Sequence, residues 1–476
     1  MQNIPNGRSS SSFGDRHSSF EDRIDAVSVT SDRLTGRGGL ALFSRYLSSI
    51  KINPHLDRLF GSMRRSGKGL AVTALFKQLF CFLLDGTSRH LVYFDELKHD
   101  AGYAGAIETT PSAMASSHQV KRFFARFSWQ RIWLFRRLLQ QLFLWRLHME
   151  QPDVVILGVD TMVMDNSEAD VRHGVEPTYK RGVKGFQPLH VTWGRYLIDA
   201  VFRGGSKHSN HGDTVTKTLG RLIHLIRTRY RAVPIIVRMD AGFFDQKLMK
   251  ALEALSVGYI IGGKLYGDIT RQADSAPENA WWTYRNKNQK WRYLEMADCR
   301  GTWKQYRRAI FCRTLAEKGQ CVLDFACTES ILYTNLDPHT KFGKKLKEDG
   351  HSNYLEAKSI IRHYHDRGCD ELVHRALKEF RAEALPFKRF AANAAFYYVM
   401  LLAFFLYEAF KEDVCDGVLE VSSYVTRMRR RVIDIAAKIV RTGGKTILKV
   451  TAATHRALDL KTMWERANAP PTFAWR

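Results

Sequence analysis

The chain has 476 residues, enough for two or three domains with ample core, and its 45% hydrophobic and 25% charged content is that of an ordinary soluble globular protein. Lysine and arginine number 73 against 48 aspartate and glutamate, and this surplus of +25 implies a polyanionic partner, nucleic acid first and an anionic membrane surface second. Seven cysteines without a CxxC pair exclude a disulfide framework and a structural zinc site, and they fit a reducing cytoplasm.

Residues 1–36, with SSSS at 9–12 and much Gly, Arg and Asp, read as a disordered leader. From 37 to 150 the apolar residues recur at helical spacing, which predicts a small all-helical domain. Its later helices carry Lys121, Arg122, Arg126, Arg131, Arg136, Arg137 and Arg146 among many aromatics. One reading is a stripe that lies along DNA, with residues 117–124 as a recognition helix; the other is a helical-bundle surface with packed aromatics.

After Pro152 the pattern changes, and residues 151–410 read as one catalytic domain. VVILGVD (154–160), IIVRMD (235–240) and YIIGGK (259–264) are buried-strand runs, alternating with helical runs at 213–230 and in QKLMKALEAL. FQPLHVTW (186–193) and YLIDAVF (196–202), joined through Gly194, predict a hairpin. The stretch from about 266 to 336 reverts to short alternating strands (WRYLEMAD, YRRAIFC, CVLDFACT, ILYTNL), an antiparallel insertion in an α/β sheet. Helical pattern resumes at Tyr354 and runs, with a break at Pro386, to about Phe410. Its uncharged run Ala394–Tyr407 is short for a bilayer and reads as a buried core helix, so no membrane partner is expected. Residues 411–476 form a basic helical region in which TRMRRRVIDIAAKIVR predicts a helix stopping at Gly443–Gly444.

Three acids stand out by position. Asp160 and Asp240 each end an apolar strand, where α/β sheets build active sites, although a strand-ending Asp also serves as a simple cap. Glu371 belongs to the spacing Y-x2-R-x3-E-x6-K formed by Tyr364, Arg367, Glu371 and Lys378. In one continuous helix at about 100° per residue, these four side chains fall within roughly 60° of one another. Leu372, Val373, Ala376, Leu377 and Phe380 then cluster opposite. A solvated face with helical salt bridges would read the same way. Three carboxylates from separate elements suit two Mg²⁺ (or Mn²⁺) ions about 4 Å apart acting on a phosphodiester, and the lack of His or Cys clusters at ligand spacing disfavours Zn²⁺. The basic runs KFGKKLK (341–347) and RMRRR (427–431) suit DNA flanks or plain solvation. No GxxxxGK[ST] loop is present, so no nucleotide triphosphate is expected.

LGVDTMV (157–163), VRMDAGF (237–243) and YHDRGCDELVHRALK (364–378) together resemble the bacterial insertion-sequence DDE transposases that bear the Tyr-Arg-Glu-Lys signature. Weaker likeness extends over about residues 38 to 450. The resemblance implies a ribonuclease-H-like mixed sheet with a β-rich insertion before the last acid, preceded by a helical DNA-binding domain. It implies that Asp160, Asp240 and Glu371 bind the metal ions, and that Tyr364, Arg367 and Lys378 grip phosphates at the element end. The activity implied is cut-and-paste excision and strand transfer. It would act on double-stranded DNA, both element ends and target, through a synapsed homodimer in the bacterial cytoplasm at the nucleoid. Some relatives form a hairpin at the element end, for which Trp281, Trp282, Trp291 and Trp303 offer stacking surfaces if they are not core. Two other readings keep the same residues: a DNA-binding relic without activity, and a structure-specific nuclease without strand transfer.

Overall fold

The structure is a computed structural model and describes residues 24–63, 69–285, 290–315, 329–380 and 384–475. Most of the 1–36 leader and the expected strand at 321–328 lie outside these residues. The chain divides into the units Met1–Asp32 and Arg33–Arg476. Residues 24–32 of the first carry no helix or strand and are exposed.

Apolar residues at helical spacing fold into Leu40–Ser49, Asn53–Phe60, Val72–Asp85, Ser117–Ala125 and Trp129–Glu150, with shorter helices between them. Phe60, Phe76, Phe123 and Phe135 knit these helices together, with the Phe60 and Phe135 ring centroids 4.6 Å apart. Ser117–Ala125 starts on a reciprocal capping box between Ser116 and Gln119. Part of the expected basic stripe is internal. Arg136 makes a bidentate pair with Asp199 at 2.8 and 2.7 Å, and Arg146 is buried against Asp413 and Glu412, both at 2.8 Å. These two arginines join helix to sheet and helix to helix and are not available to DNA.

The long helix Phe390–Val414 is apolar all round because it is surrounded, packing on Trp129–Glu150, Val72–Asp85 and the strand Tyr196–Val201. It is long and apolar enough to cross a membrane, yet 89% of its apolar window is buried within the protein, which makes it the core helix expected.

A mixed sheet lies beside this helical layer, giving the mixed α/β class expected. Its described strands run, edge to edge, Trp282–Arg285, Lys290–Asp298, Arg307–Leu315, Glu329–Thr334, Gly258–Gly262, Ile235–Met239, Val155–Thr161, Leu189–Trp193 and Tyr196–Val201. Val155–Thr161, Ile235–Met239 and Gly258–Gly262 are mutually parallel neighbours, and the other pairings are antiparallel. Val159 pairs with Met239, so Asp160 and Asp240 leave the carboxyl ends of adjacent parallel strands at the same level. Gly194, at φ +56°, turns the hairpin between Leu189–Trp193 and Tyr196–Val201.

Three local expectations are corrected. Arg33–Thr35, assigned to the leader, is a strand paired with Ala437–Thr442. The basic helix expected to stop at Gly443–Gly444 is instead a short helical turn followed by an antiparallel hairpin, Ala437–Thr442 with Lys445–Lys449. Both glycines have positive φ (+54° and +74°) and form a two-residue hairpin loop, while β-branched Ile439, Val440, Thr446 and Ile447 favour the extended chain. The signature residues, expected on one helix, occupy two: Ala357–His365 and Gly368–Glu379, separated by a turn at Asp366–Arg367.

Candidate active site

Asp160 lies near the end of its strand, and its Oδ1 accepts the Thr161 N–H at 2.7 Å. Its Oδ2 faces the Arg367 guanidinium at 3.5 Å and the His374 ring at 3.9 Å. Asp240 caps the turn that follows the neighbouring strand, with Oδ1 accepting the Gly242 N–H at 2.8 Å. Glu371, largely exposed, reaches Arg367 at 3.6 Å from within Gly368–Glu379. Arg367 is therefore the electrostatic centre of the site. Burial works against its charge, but Tyr364 and the carboxylates of Asp160, Asp240 and Glu371 more than compensate and raise its pKa.

Arg367 sits in the turn between the two signature helices, where Asp366 and Arg367 keep right-handed helical backbone angles. Arg238, on the Asp240 strand, donates to the His363 carbonyl at 3.0 Å and ties the first helix to the sheet. Trp291 stacks on His365 from the other side, with centroids 4.6 Å apart. Tyr364 is positioned by an absence. A Cβ on Gly262 would stand 2.5 Å from the Tyr364 hydroxyl and 2.9 Å from the Ala241 nitrogen. The missing side chain lets the phenol reach the Asp240 turn, and burial raises its pKa.

Gly368–Glu379 buries Val373, Leu377 and Phe380, as its pattern predicts, while Leu372 stays 49% exposed. Lys378 is half-buried, and its charge acts on His374 and on Asp165. Asp165 accepts the Ser167 N–H and hydroxyl at 2.9 and 2.7 Å, as a turn residue does. Tyr179, on an exposed loop, lies in the field of both Asp160 and Asp240, and partial burial together with these charges raises its pKa.

Among the described residues, no three His, Cys, Asp or Glu side chains are gathered tightly enough to hold a metal as they stand. The Arg367 guanidinium occupies the space between two of the acids instead. The donor set is nonetheless that of a hard divalent cation, with carboxylate oxygens around a cationic stand-in. The Arg367 Nε is buried and has no hydrogen-bond partner among the described residues.

The other sequence candidates lie apart from these acids in the fold. Lys121 and Arg122 are exposed on Ser117–Ala125, whereas Arg126, at its end, donates to the Met63 carbonyl at 3.1 Å. Within the 427–431 run, Arg429 is internal and caps the carbonyls of Leu83 and Leu84. Trp291 is buried, Trp281 lies under Arg292 and Arg313, and Trp303 packs on Tyr333, so only Trp282 of the four is exposed. Sequence reasoning missed His190, His374, Tyr397 and Gly262. Of these only His374, three residues after Glu371 on the same helix, carried a positional signal.

Residues 18–467 match the family model described as Transposase DDE domain group 1. No curated protein matches the chain.

Proposed function

The chain belongs to the DDE transposase family, enzymes that act on DNA, and we propose that it excises and reinserts an insertion-sequence element by metal-dependent, cut-and-paste chemistry at terminal inverted repeats. The observation that carries this reading is the placement of Asp160 and Asp240 at the ends of adjacent parallel strands, with Arg367 bridging Asp160 to Glu371. The strand order also favours a ribonuclease-H-like core. The Asp160 strand continues through a Leu189–Trp193 and Tyr196–Val201 meander on one side and meets two parallel strands on the other.

Asp160, Asp240 and Glu371 would hold the divalent ions, Mg²⁺ or Mn²⁺. When bound, these would polarise the attacked phosphate and ease loss of the leaving oxygen. Arg367 and Tyr364, beside the acids, orient the scissile phosphate, and Lys378 contacts a flanking one. In the first step a water oxygen bonds to phosphorus, the P–O3′ bond breaks, and the 3′-hydroxyl departs with a proton. In the second, that hydroxyl attacks a target phosphodiester. One P–O bond forms as one breaks, so no nucleotide triphosphate is needed. The helical region 37–150, led by the exposed Lys121 and Arg122, would bind the ends, and residues 411–476 would add basic surface. Two copies would synapse the ends.

The test is cleavage of labelled DNA carrying an element end, in Mg²⁺ and in EDTA, with wild type beside Asp160→Ala, Asp240→Ala and Glu371→Ala. Mg²⁺-dependent cuts at the end, abolished in each variant, are the expected result. Sequence-specific binding without cuts in any divalent metal would overturn the reading and leave a DNA-binding relic, while cuts without insertion products would leave a nuclease.

A further inference from the structure

Behind Asp160 runs a chain of buried polar groups that the proposed chemistry does not use. His190 lies directly opposite Asp160 on the antiparallel ladder, so the two side chains leave the same face of the sheet. The His190 Nδ1 is 2.9 Å from the His374 Nε2, and its Nε2 makes a short hydrogen bond with the Tyr397 hydroxyl. The His374 Nδ1 then faces the Asp160 Oδ2 at 3.9 Å. Three elements meet in this chain: the Asp160–His190 ladder, the signature helix and the long core helix. His190 and Tyr397 are fully buried and His374 nearly so.

A buried histidine with its bonds satisfied is often only a packed core residue. This chain differs in where it ends and in the direction its bonds must run. A neutral imidazole has one N–H and one lone pair, so a ring that bonds a buried neighbour through one nitrogen has its other nitrogen fixed as donor or acceptor. Two directions are possible. If His374 donates through Nε2, its Nδ1 turns a lone pair toward an ionised carboxylate. If Tyr397 donates to His190 and His190 donates to His374, the last N–H points at Asp160. With Asp160 ionised, as a metal ligand must be, only the second direction is favourable.

Both Asp160 oxygens then face protein groups. Oδ1 has the Thr161 N–H, and Oδ2 is shared between Arg367 and His374. Arg367 is also a phosphate-binding candidate, and His374 is a second group that faces Oδ2. At 3.9 Å the contact is too long for a hydrogen bond, and a small closure on ligand binding would make it one. We propose that His374 is a positioning residue for Asp160, oriented through His190 and Tyr397, and that it fixes the carboxylate in the rotamer that presents it to a divalent cation. The inference rests on the metal-dependent reading of the site.

His374→Asn and His374→Gln test it. The Asn amide can place a donor where Nδ1–H stood, whereas the Gln amide reaches toward His190 and leaves Asp160 without one. Mn²⁺ binding to the full-length protein, followed by the electron paramagnetic resonance of the free ion, should be near wild type for Asn. For Gln it should be about 10-fold weaker or more. The Mg²⁺ concentration for half-maximal cleavage should shift in parallel, with end binding in EDTA unchanged in both. Equal Mn²⁺ affinities for the two variants in a protein that cleaves would overturn the role of His374. A wild type that neither binds Mn²⁺ nor cleaves would instead overturn the metal-dependent reading beneath it.

Discussion

Gly262 shows how a residue without chemistry can govern one with it. The Tyr364 hydroxyl fills the space a side chain would take at the end of Gly258–Gly262, against the Asp240 turn. Gly262→Ala should push the phenol away, press on the backbone of the Asp240 turn as well, and reduce end cleavage at least tenfold. The fold should survive, since overpacking of this size costs about 1–3 kcal/mol. Cleavage assays beside a thermal melt would separate the two effects, and wild-type cleavage would show that the position of the phenol does not matter to the chemistry. Arg367 poses a question of sign. As a cation among acids it competes with a metal ion, and as a donor it attracts phosphate. Arg367→Ala should therefore bind Mn²⁺ several-fold more tightly in the absence of DNA while binding element ends more weakly. Weaker Mn²⁺ binding by the DNA-free variant would show that the guanidinium organises the carboxylates rather than competing for them.

At the scale of elements, the first signature helix, Ala357–His365, carries a histidine whose charge burial opposes. His363 stacks on Tyr354 with centroids 5.1 Å apart, and burial first, then Arg362, lowers its pKa to about 4 against the restoring pull of Asp366. The unfolded chain takes up this proton near pH 6.5 and the folded chain near pH 4, so between those values unfolding binds a proton. Stability should be level above about pH 6.5 and fall as the pH drops toward 4, by roughly 1.4 kcal/mol per unit at most. His363→Phe, which keeps the stacking, should flatten that slope in urea melts taken across the range; an unaltered slope would assign it to other histidines whose pKa burial lowers, His190, His365 and His374. Elements were legible in the sequence where one physical signal ruled. The apolar strands ending in Asp160 and Asp240 and the uncharged core helix are of that kind. The hairpin at 437–449 was hidden because the basic run before it reads as helix until the two glycines are seen as a loop rather than a stop. The turn at Asp366–Arg367 left no mark at all, since neither residue breaks a helix. The arginine between two of the acids needed the sheet to be seen. The His190–His374–Tyr397 chain was invisible for the same reason, being assembled from segments far apart in sequence.

For the whole molecule, the surplus of +25 must be weighed against where the cations lie. Buried pairs such as Arg136 with Asp199 and Arg307 with Glu253 remove one charge of each sign, so they leave the surplus intact for the remaining groups. A protein so charged attracts any duplex, and salt dependence distinguishes the residues that touch phosphate from those that only contribute to the field. Removing one cation that neutralises a phosphate should lower the slope of log affinity against log salt by about one. Lys378→Ala should do so at an element end, since its half-buried amine lies beside the acids' helix face. Replacing Lys121 and Arg122 together should lower the slope by about two if the helix Ser117–Ala125 lies on DNA. That helix is pinned to the bundle by Phe123 and Phe124 and presents the two cations outward, an arrangement that serves DNA binding and plain solvation equally well. An unchanged slope in the double variant would take the helix off the interface and leave it as bundle surface. A drop of about two with cleavage of pre-bound ends intact would assign the N-terminal helices to end binding and the sheet to chemistry.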